Sequence, residues 1–268
     1  MLKDFIHKFK KDKSFAMAII ILAIILISVL ISLFFNIDPN EINLDKKLLE
    51  PSITHVFGTD ELGRDYFARA LYGGRISLSV GILSMIISIF LGSLIGILSG
   101  YIGGTFDDIM MRVVDILLSI PSFLVLIVLN SFLQPNVITI IVIIGCLSWM
   151  DVSRIVRGET IRIKKNEYCL AGKALGASSK EIVMKHIIVN IKDTILVAAS
   201  LNIASAILTE SALSFLGLGV QLPLASWGNM LQDAQKYIFD KLYLAIFPGI
   251  LIFLTVVSLT IISKRFSK

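Results

Sequence analysis

The chain has 268 residues, of which 56% are hydrophobic and 17% charged, and its mean hydropathy is +0.85. Soluble domains carry about 45–50% apolar and about 25% charged residues, so this composition excludes an ordinary soluble enzyme, a disordered chain and a collagen-like repeat. The net charge of +5 alone would suit nucleic-acid binding, but the basic residues cluster between long apolar runs, which is typical of a membrane protein.

Apolar windows of about 20 residues predict membrane-spanning helices, because a bilayer core about 30 Å thick needs that length. Lipid offers backbone groups no hydrogen-bonding partner, so each window must be helical, and the runs lack the alternation of a β-barrel strand. The sequence therefore predicts an all-α polytopic membrane protein with one transmembrane domain over 14–263. Its six spans are about 14–35, 76–101, 109–132, 137–152, 194–216 and 241–263.

Lysine and arginine residues predict the orientation. If the N-terminus is cytoplasmic, 18 of the 25 basic residues lie inside and seven outside, so the positive-inside rule predicts that both termini are cytoplasmic. The first span is too long and lacks the cleavage site of a signal peptide, so it is predicted to be an uncleaved anchor. The remaining segments are a basic N-terminus (1–13), an external segment (36–75), a cytoplasmic loop (153–193), an external loop (217–240) and a tail (264–268).

Motifs for catalysis and metal binding are missing from the sequence. Gly172-Lys173 lacks the earlier glycine and the following Ser or Thr of a Walker A loop, so no nucleotide site is expected on this chain. The three histidines fall in different segments, and neither HExxH nor GxSxG occurs. We therefore expect no catalytic residue, no metal site and no bound cofactor. Cys146 and Cys169 are far apart and are predicted to be free thiols.

The cytoplasmic loop has helical spacing that a glycine interrupts. Tyr168, Ala171 and Leu175 lie three and four residues apart and share one helix face. Gly176 permits a turn, and Ser178 or Ser179 can cap a second helix. The pattern predicts a helix, a turn and a helix at the cytoplasmic surface. A basic loop lying on anionic headgroups is the alternative from composition alone.

The order Glu167-Tyr168, Ala171, Ala174-Leu175-Gly176-Ala177-Ser178 and His186-Ile187-Ile188 resembles the EAA loop of bacterial ABC importer permeases. More narrowly, it is similar to the family of dipeptide, oligopeptide and nickel permeases. The chain departs from that pattern at Gly172, where the family commonly has a second alanine, and at Val189, where it has proline. Other stretches that resemble the same family are 58–65, 74–78, 111–115, 214–221, 226–231 and 247–249.

This resemblance implies a type I ABC importer permease fold in the bacterial cytoplasmic membrane. It implies a second, homologous permease subunit, two cytoplasmic ATP-binding subunits that use ATP and Mg²⁺, an extracellular or periplasmic solute-binding protein, surrounding lipid and no nucleic acid. The implied function is ATP-driven import of peptides, or of nickel in a chelate, by alternating access. The residues implied to dock onto the ATP-binding subunit are Glu167, Tyr168, Ala171, Ala174, Leu175, Gly176 and Ala177.

Two other classes of function compete with the importer. A secondary transporter driven by an ion gradient predicts inverted repeats and broken midplane helices, and the sequence shows no convincing sign of either. A membrane-embedded enzyme needs a nucleophile beside a base, and no such pair is evident in the sequence.

Polar residues inside the spans are candidates for function because charges in a membrane are costly. Asp115 is predicted to pair with Arg112 three residues before it, or to act in gating; Asp151 and Arg154 repeat that spacing. Glu210 is predicted either to make an interhelical hydrogen bond or to line the pathway.

Four further features concern helix ends and contacts. Trp227 is predicted to close the outer mouth, to touch a binding protein or to anchor at the headgroups. Pro121 predicts a kink in the third span. Gly92, Gly96 and Gly100 predict close approach of another helix. A short external helix from Tyr66 is expected to end at Gly73-Gly74.

Overall fold

The structure, a computed structural model, describes residues 12–34, 38–133 and 136–266. Residues 1–11 of the predicted basic N-terminus and residues 267–268 of the predicted tail lie outside these ranges. The predicted end of the first span at residue 35 also lies outside them.

The described chain is helical, and its β pairing is a single isolated bridge between Thr59 and Asp65. A π-helical turn, Val183–Ile187, joins the helix Ser179–Ile182 to the helix Ile188–Phe215 in one continuous rod. The helices are α1 (Lys13–Ile31), α2 (Tyr66–Ile102), α3 (Gly104–Leu118), α4 (Ser122–Phe132), α5 (Val137–Lys164), α6 (Glu167–Ala174), α7 (Ser179–Ile182), α8 (Ile188–Phe215), α9 (Trp227–Ala234) and α10 (Tyr243–Phe266).

Among the described residues, five continuous helices are long and apolar enough to cross a membrane: α1, α2, α5, α7 with α8, and α10. The pair α3 and α4 makes a sixth candidate that is bent by 74°. The bend lies at Pro121, which has no N–H to donate and stands directly before the first residue of α4. The predicted kink of the third span is therefore confirmed.

Three helices extend beyond the hydrophobic windows that predicted them. α2 begins at Tyr66 rather than near residue 76, α5 continues to Lys164 rather than ending near 152, and the rod containing α8 begins at Ser179 rather than near 194. Hydropathy windows stop at the first charged residues, whereas a helix continues where those residues find partners or water. The helices are thus longer than the hydrophobic windows at these ends, and the span boundaries themselves stay predictions.

The predicted short external helix is wrong, because its residues are the first turns of α2. Gly73 and Gly74 do not end a helix there; they are positions at which other segments of the chain approach α2 closely. A Cβ atom on Gly74 would lie 2.7 Å from Val29 Cγ2 and 3.0 Å from Trp227 Cζ2. The two glycines therefore make no turn; their missing side chains leave room for α1 and the tryptophan ring.

Helix α2 is central and packs most extensively against α5 through its glycines. A Cβ atom added to Gly92 would lie 2.6 Å from Val152 Cβ, and one added to Gly96 would lie 2.6 Å from Ser153 O. Real Cβ atoms essentially never make such contacts, so the two backbones approach closely only because these positions are glycine. The predicted packing role of the glycine steps is confirmed.

The two ends of the helix bundle have different structures. At one end, the segment 38–65, α9 and the start of α10 form a cap, which we call the external cap after its predicted side of the membrane. In it, Tyr66 Oη donates to Leu244 O at 2.7 Å and Tyr243 Oη to Leu49 O at 2.9 Å. At the other end, the beginning of α1 meets the end of α10, where Arg265 lies 3.8 Å from Asp12.

Candidate functional site

Helix α6 forms the tip of the predicted cytoplasmic loop, and most of its side chains are exposed. Glu167 stands in its first turn and Lys173 in its last, so both charges complement the helix dipole. Cys169 is the buried residue of this helix and packs in a cluster with Ile163, Ile182 and Ile187. Burial raises the pKa of the Cys169 thiol.

The turn after α6 has the conformation that its glycine permits. Gly176 has φ +87°, and its N–H donates to Lys173 O at 3.1 Å. Leu175, the residue before it, is 88% exposed, so a large apolar side chain projects from the tip. The second helix begins at a capping box in which Glu181 N–H donates to Ser178 Oγ at 3.2 Å and Ser178 N–H to Glu181 Oε2 at 3.1 Å. Ser178, rather than Ser179, is the cap.

The structure places the predicted docking residues on one exposed ridge, which we name the loop tip. Six of its residues are exposed and one, Ala177, is half-buried. The ridge lies on a packed apolar cluster that includes Val152 and Val156 of α5 and Ile97 of α2. The residues of the loop tip are Glu167, Tyr168, Ala171, Ala174, Leu175, Gly176 and Ala177.

Glu210 is fully buried on α8 at the centre of a hydrogen-bonded network. Ser77 Oγ donates to Glu210 Oε2 at 3.0 Å, and Ser214 Oγ donates to Glu210 Oε1 at 2.7 Å. The Trp227 N–H donates to Ser77 Oγ at 3.2 Å, and the Val220 N–H to Ser214 Oγ at 3.0 Å. The carboxylate thus orients two hydroxyl groups that hold the backbone of the external loop against α2 and α8.

Trp227 is fully buried at the start of α9. Its Nε1 donates to Ala70 O at 2.9 Å, and its ring lies against Gly74. The side chain therefore joins the predicted external loop to α2, and its full burial leaves no surface for contact with lipid headgroups in this conformation. A role at the outer mouth stays a prediction.

Asp115 pairs across helices rather than within its own. Its partner is Arg154 of α5, with the two side chains 61% and 48% exposed, respectively. The predicted pair with Arg112 and the predicted pair of Asp151 with Arg154 are therefore wrong. A second cross-helix pair lies nearer the start of α3, where Arg157 Nε and a terminal nitrogen donate to Asp107 at 2.5 and 2.6 Å.

Sequence reasoning missed the charged cluster of the external cap. Arg64 Nε donates to Asp60 Oδ2 at 2.6 Å, and the Arg69 side chain, only 1% exposed, donates to Asn40 Oδ1 at 3.1 Å. Asp233 of α9 lies near this cluster, and burial raises its pKa. A sequence signal for the cluster is the spacing of Asp60 and Arg64, which lie four residues apart. That spacing does not reveal a distant member such as Asp233.

Comparison with known proteins identifies the family. The model of the family described as binding-protein-dependent transport system inner membrane component matches residues 92–268. The chain belongs to this family. It is accordingly a multi-pass protein of the cytoplasmic membrane and a permease component of an ABC transporter.

Relatives along nearly the whole chain carry peptide transport in their names. The chain is 38% identical over 261 residues to an oligopeptide transport system permease protein of Bacillus subtilis, covering 97% of this chain and 86% of that protein. It is 39% identical over 264 residues to a dipeptide transport system permease protein of the same organism, covering 97% and 82%. A probable D,D-dipeptide transport system permease protein of Escherichia coli is 39% identical over 240 residues, covering 90% and 80%.

Proposed function

We propose that this chain is one of two permease subunits of an ATP-driven importer that carries peptides across the cytoplasmic membrane. The observation that carries the proposal is the loop tip, an exposed and largely apolar ridge on a packed base in a chain of this family. An apolar side chain as exposed as Leu175 at a cytoplasmic surface favours a protein partner.

The proposed topology has six spans with both termini in the cytoplasm. The distribution of basic residues supports this orientation, because 18 of 25 then lie inside. The contact between the beginning of α1 and the end of α10 also supports it, since helices that begin and end side by side have their termini on the same side. The sixth span is then the bent pair of α3 and α4.

The proposed mechanism is alternating access driven from the loop tip. Two cytoplasmic subunits that bind ATP and Mg²⁺ would dock onto the loop tips of this chain and of its permease partner. ATP must favour one conformation over the other, because a ligand that binds two states equally shifts no equilibrium. The rod formed by α7, the π-helical turn and α8 runs directly from the loop tip into the membrane, so it is the lever through which docking moves the helices.

Peptides are the proposed substrate because the relatives named above are transport proteins for dipeptides or oligopeptides. A solute-binding protein outside the membrane would deliver the peptide to the external cap. Nickel transport has no support in those names. An importer that depends on an ATP-binding subunit is favoured over a secondary transporter driven by an ion gradient, because the chain belongs to the family of binding-protein-dependent systems.

The docking role is tested with substitutions in the loop tip. Leu175→Asp keeps the backbone and replaces an exposed apolar contact by a charge; we expect it to abolish copurification of the ATP-binding subunit and uptake of a labelled dipeptide, with normal membrane insertion. Gly176→Trp and Glu167→Lys are expected to act in the same way. The matched control is Lys180→Ala, an exposed change on the neighbouring helix α7 that should leave both readouts intact.

Uptake of labelled dipeptide and labelled nickel is measured in the same cells, each with the other solute as competitor. Loss of dipeptide uptake on deletion of this chain supports the proposal. Loss of nickel uptake alone would refute the proposed substrate, and dipeptide transport by this chain alone in liposomes would refute the proposed dependence on ATP-binding subunits. Normal copurification and uptake in Leu175→Asp would refute the docking surface.

A further inference from the structure

A cavity of about 410 Å³ lies beside helix α6, between the end of α2, the beginning of α3 and the end of α5. Two basic side chains line it, Lys164 and Lys165, together with two apolar ones, Ile161 and Leu170. Lysines at the end of a helix commonly complement its dipole, but lysines that also line a cavity can bind an anion inside it.

The cavity has an excess of positive charge. Asp107 also lines it, but Arg157 donates to both carboxylate oxygens of Asp107 and offsets that negative charge. Lys164 donates to the carbonyl oxygen of Tyr101 and lies 5.3 Å from the centroid of the Tyr101 ring, so its partners are uncharged. Lys165 is exposed and has no ion-pair partner among the described residues. Two ammonium groups are therefore available to an anion.

The cavity adjoins the place where the apolar part of α2 ends. Residues 76–106 contain no charged side chain, α2 ends at Ile102, and Lys164 binds the carbonyl group of Tyr101. Tyrosine is enriched where hydrocarbon meets the headgroups, and lysine near a helix end extends toward the same region. In the proposed topology this boundary is the cytoplasmic one. The sequence therefore predicts that the two lysines lie at the headgroups of the cytoplasmic leaflet.

The apolar side chains restrict the kind of anion that suits this cavity. Leu170 is 56% exposed, so much of its hydrocarbon surface is uncovered. A free phosphate ion would contact the lysines and leave this surface in water. A phospholipid offers a phosphate group to the lysines and its glycerol backbone and upper acyl chain to Ile161 and Leu170.

We propose that this cavity binds the headgroup of an anionic phospholipid from the cytoplasmic leaflet. The inference goes beyond the proposed function and takes only the topology from it. Lys164 and Lys165 bind the phosphate group, and Ile161 and Leu170 pack against the apolar part of the lipid. Because Leu170 belongs to α6, the bound lipid connects the membrane surface to the helix that carries most of the loop tip.

Native mass spectrometry of the whole transporter in detergent tests the site. Dioleoyl phosphatidylglycerol is titrated, with dioleoyl phosphatidylcholine as the reference lipid that has no net charge. Lys164→Gln combined with Lys165→Gln should weaken the binding of one phosphatidylglycerol per copy of this chain about 25-fold, or about fivefold for each lysine. The matched control is Lys180→Gln combined with Lys192→Gln, which removes two exposed lysines outside the cavity. Equal affinity in the two double variants would overturn the proposal.

A single variant keeps the test valid if the double variant folds poorly. Lys164 binds the carbonyl group of Tyr101, so its loss can loosen the end of α2. Lys165→Gln removes no such contact, and we expect an unchanged thermal midpoint in lipid-free detergent with about fivefold weaker binding of phosphatidylglycerol. Unchanged binding in Lys165→Gln would overturn the two-lysine site.

Other occupants of the cavity predict different results. Inorganic phosphate should release no more phosphatidylglycerol than chloride does at equal ionic strength, because it lacks the apolar part of the lipid. Specific release by inorganic phosphate would identify a soluble anion as the ligand and overturn the lipid. Loss of the ATP-binding subunit from the Lys165→Gln transporter, with unchanged lipid binding, would assign the cavity to the docking surface instead.

The side of the membrane is tested separately. Lys165→Cys is placed in a Cys146→Ser, Cys169→Ser background and treated with a membrane-impermeant maleimide. The reagent should label it in inverted membrane vesicles and leave it unlabelled in intact cells. The opposite result would overturn the assignment to the cytoplasmic leaflet.

Dipeptide uptake separates this inference from the proposed function, because lipid binding is measured without transport. A wild-type chain that imports no dipeptide, but loses phosphatidylglycerol when both cavity lysines are replaced, would refute the proposed substrate and leave the lipid site in place. Normal dipeptide uptake by the wild type, with equal lipid binding in the two double variants, would refute the lipid site alone.

Discussion

Gly96, at the contact of α2 with α5, and Gly158, on the open face of α5, should respond oppositely to the same small change. In Gly96→Ala, the added methyl group would lie 2.6 Å from Ser153 O and 2.9 Å from Val156 Cβ. Neither backbone can yield locally, so the helices must separate by about 0.8 Å to restore an ordinary contact of about 3.4 Å. In Gly158→Ala, on the facing helix, the methyl group enters open space.

The expected magnitudes follow from packing and helix propensity. Overpacking a close contact costs about 1–3 kcal/mol, and Ala regains about 1 kcal/mol relative to Gly in a helix. Gly96→Ala is therefore expected to be destabilised by up to about 2 kcal/mol, and Gly158→Ala to be stabilised by up to about 1 kcal/mol. For a chain of this size, each kcal/mol corresponds to roughly 2–4 °C in the thermal midpoint.

Thermal unfolding of the purified complex in detergent measures the difference, with a thiol-reactive or intrinsic-fluorescence probe and the wild type alongside. We expect the midpoint of Gly96→Ala to lie below that of Gly158→Ala by several degrees. A midpoint for Gly96→Ala at or above that of Gly158→Ala would refute the close approach of α2 and α5.

Three further outcomes are expected. Glu210→Ala should lower the thermal midpoint and make the external loop more susceptible to added protease. The reason is that the Ser77 and Ser214 hydroxyls lose their acceptor, at a cost of about 1–3 kcal/mol for each unpaired group. Glu210→Gln keeps one acceptor oxygen and should have a smaller effect; equal effects of the two variants would contradict the network. Cys169 should resist maleimide in the folded protein and react after denaturation, because burial keeps the thiol protonated and covered. Mass spectrometry measures the extent of labelling, and rapid labelling of the folded protein would contradict this expectation. Burial raises the pKa of Asp233, so the contribution of its carboxyl group to stability is fully present below the pKa in the unfolded chain and is lost as pH rises through the pKa in the folded protein. Asp233→Asn should therefore flatten this pH range in a plot of thermal midpoint against pH. An unchanged plot would show that Asp233 does not cause the pH dependence.

Local patterns predicted the parts of the structure that depend on neighbours in sequence. The kink at Pro121 follows from a missing N–H, and the turn at Gly176 follows from a backbone conformation that other residues rarely adopt. The capping of α7, predicted at Ser178 or Ser179 and found at Ser178, follows in the same way from a hydrogen bond over three residues. Each of these features needs only a few adjacent residues to form.

The ends of the helices were less predictable. Hydropathy marks where a helix can meet lipid, and it therefore ended the fourth span near residue 152, although the backbone continues as a helix to Lys164. The charges that interrupt the apolar pattern are satisfied by another helix, through Asp115 with Arg154 and Asp107 with Arg157. No window on a single helix contains that information.

The sequence by itself determined the all-helical membrane class, the positions of the apolar spans and the helix, turn and helix of the loop tip, because composition and spacing along one chain govern them. Only the tertiary structure decided which charges pair, that Trp227 is buried against α2, and that Glu210 holds the external loop through two serine hydroxyls. Those outcomes depend on contacts between residues up to 157 positions apart, as between Ala70 and Trp227. The spacing of residues along the chain does not reveal such contacts, because they form only when the helices pack together.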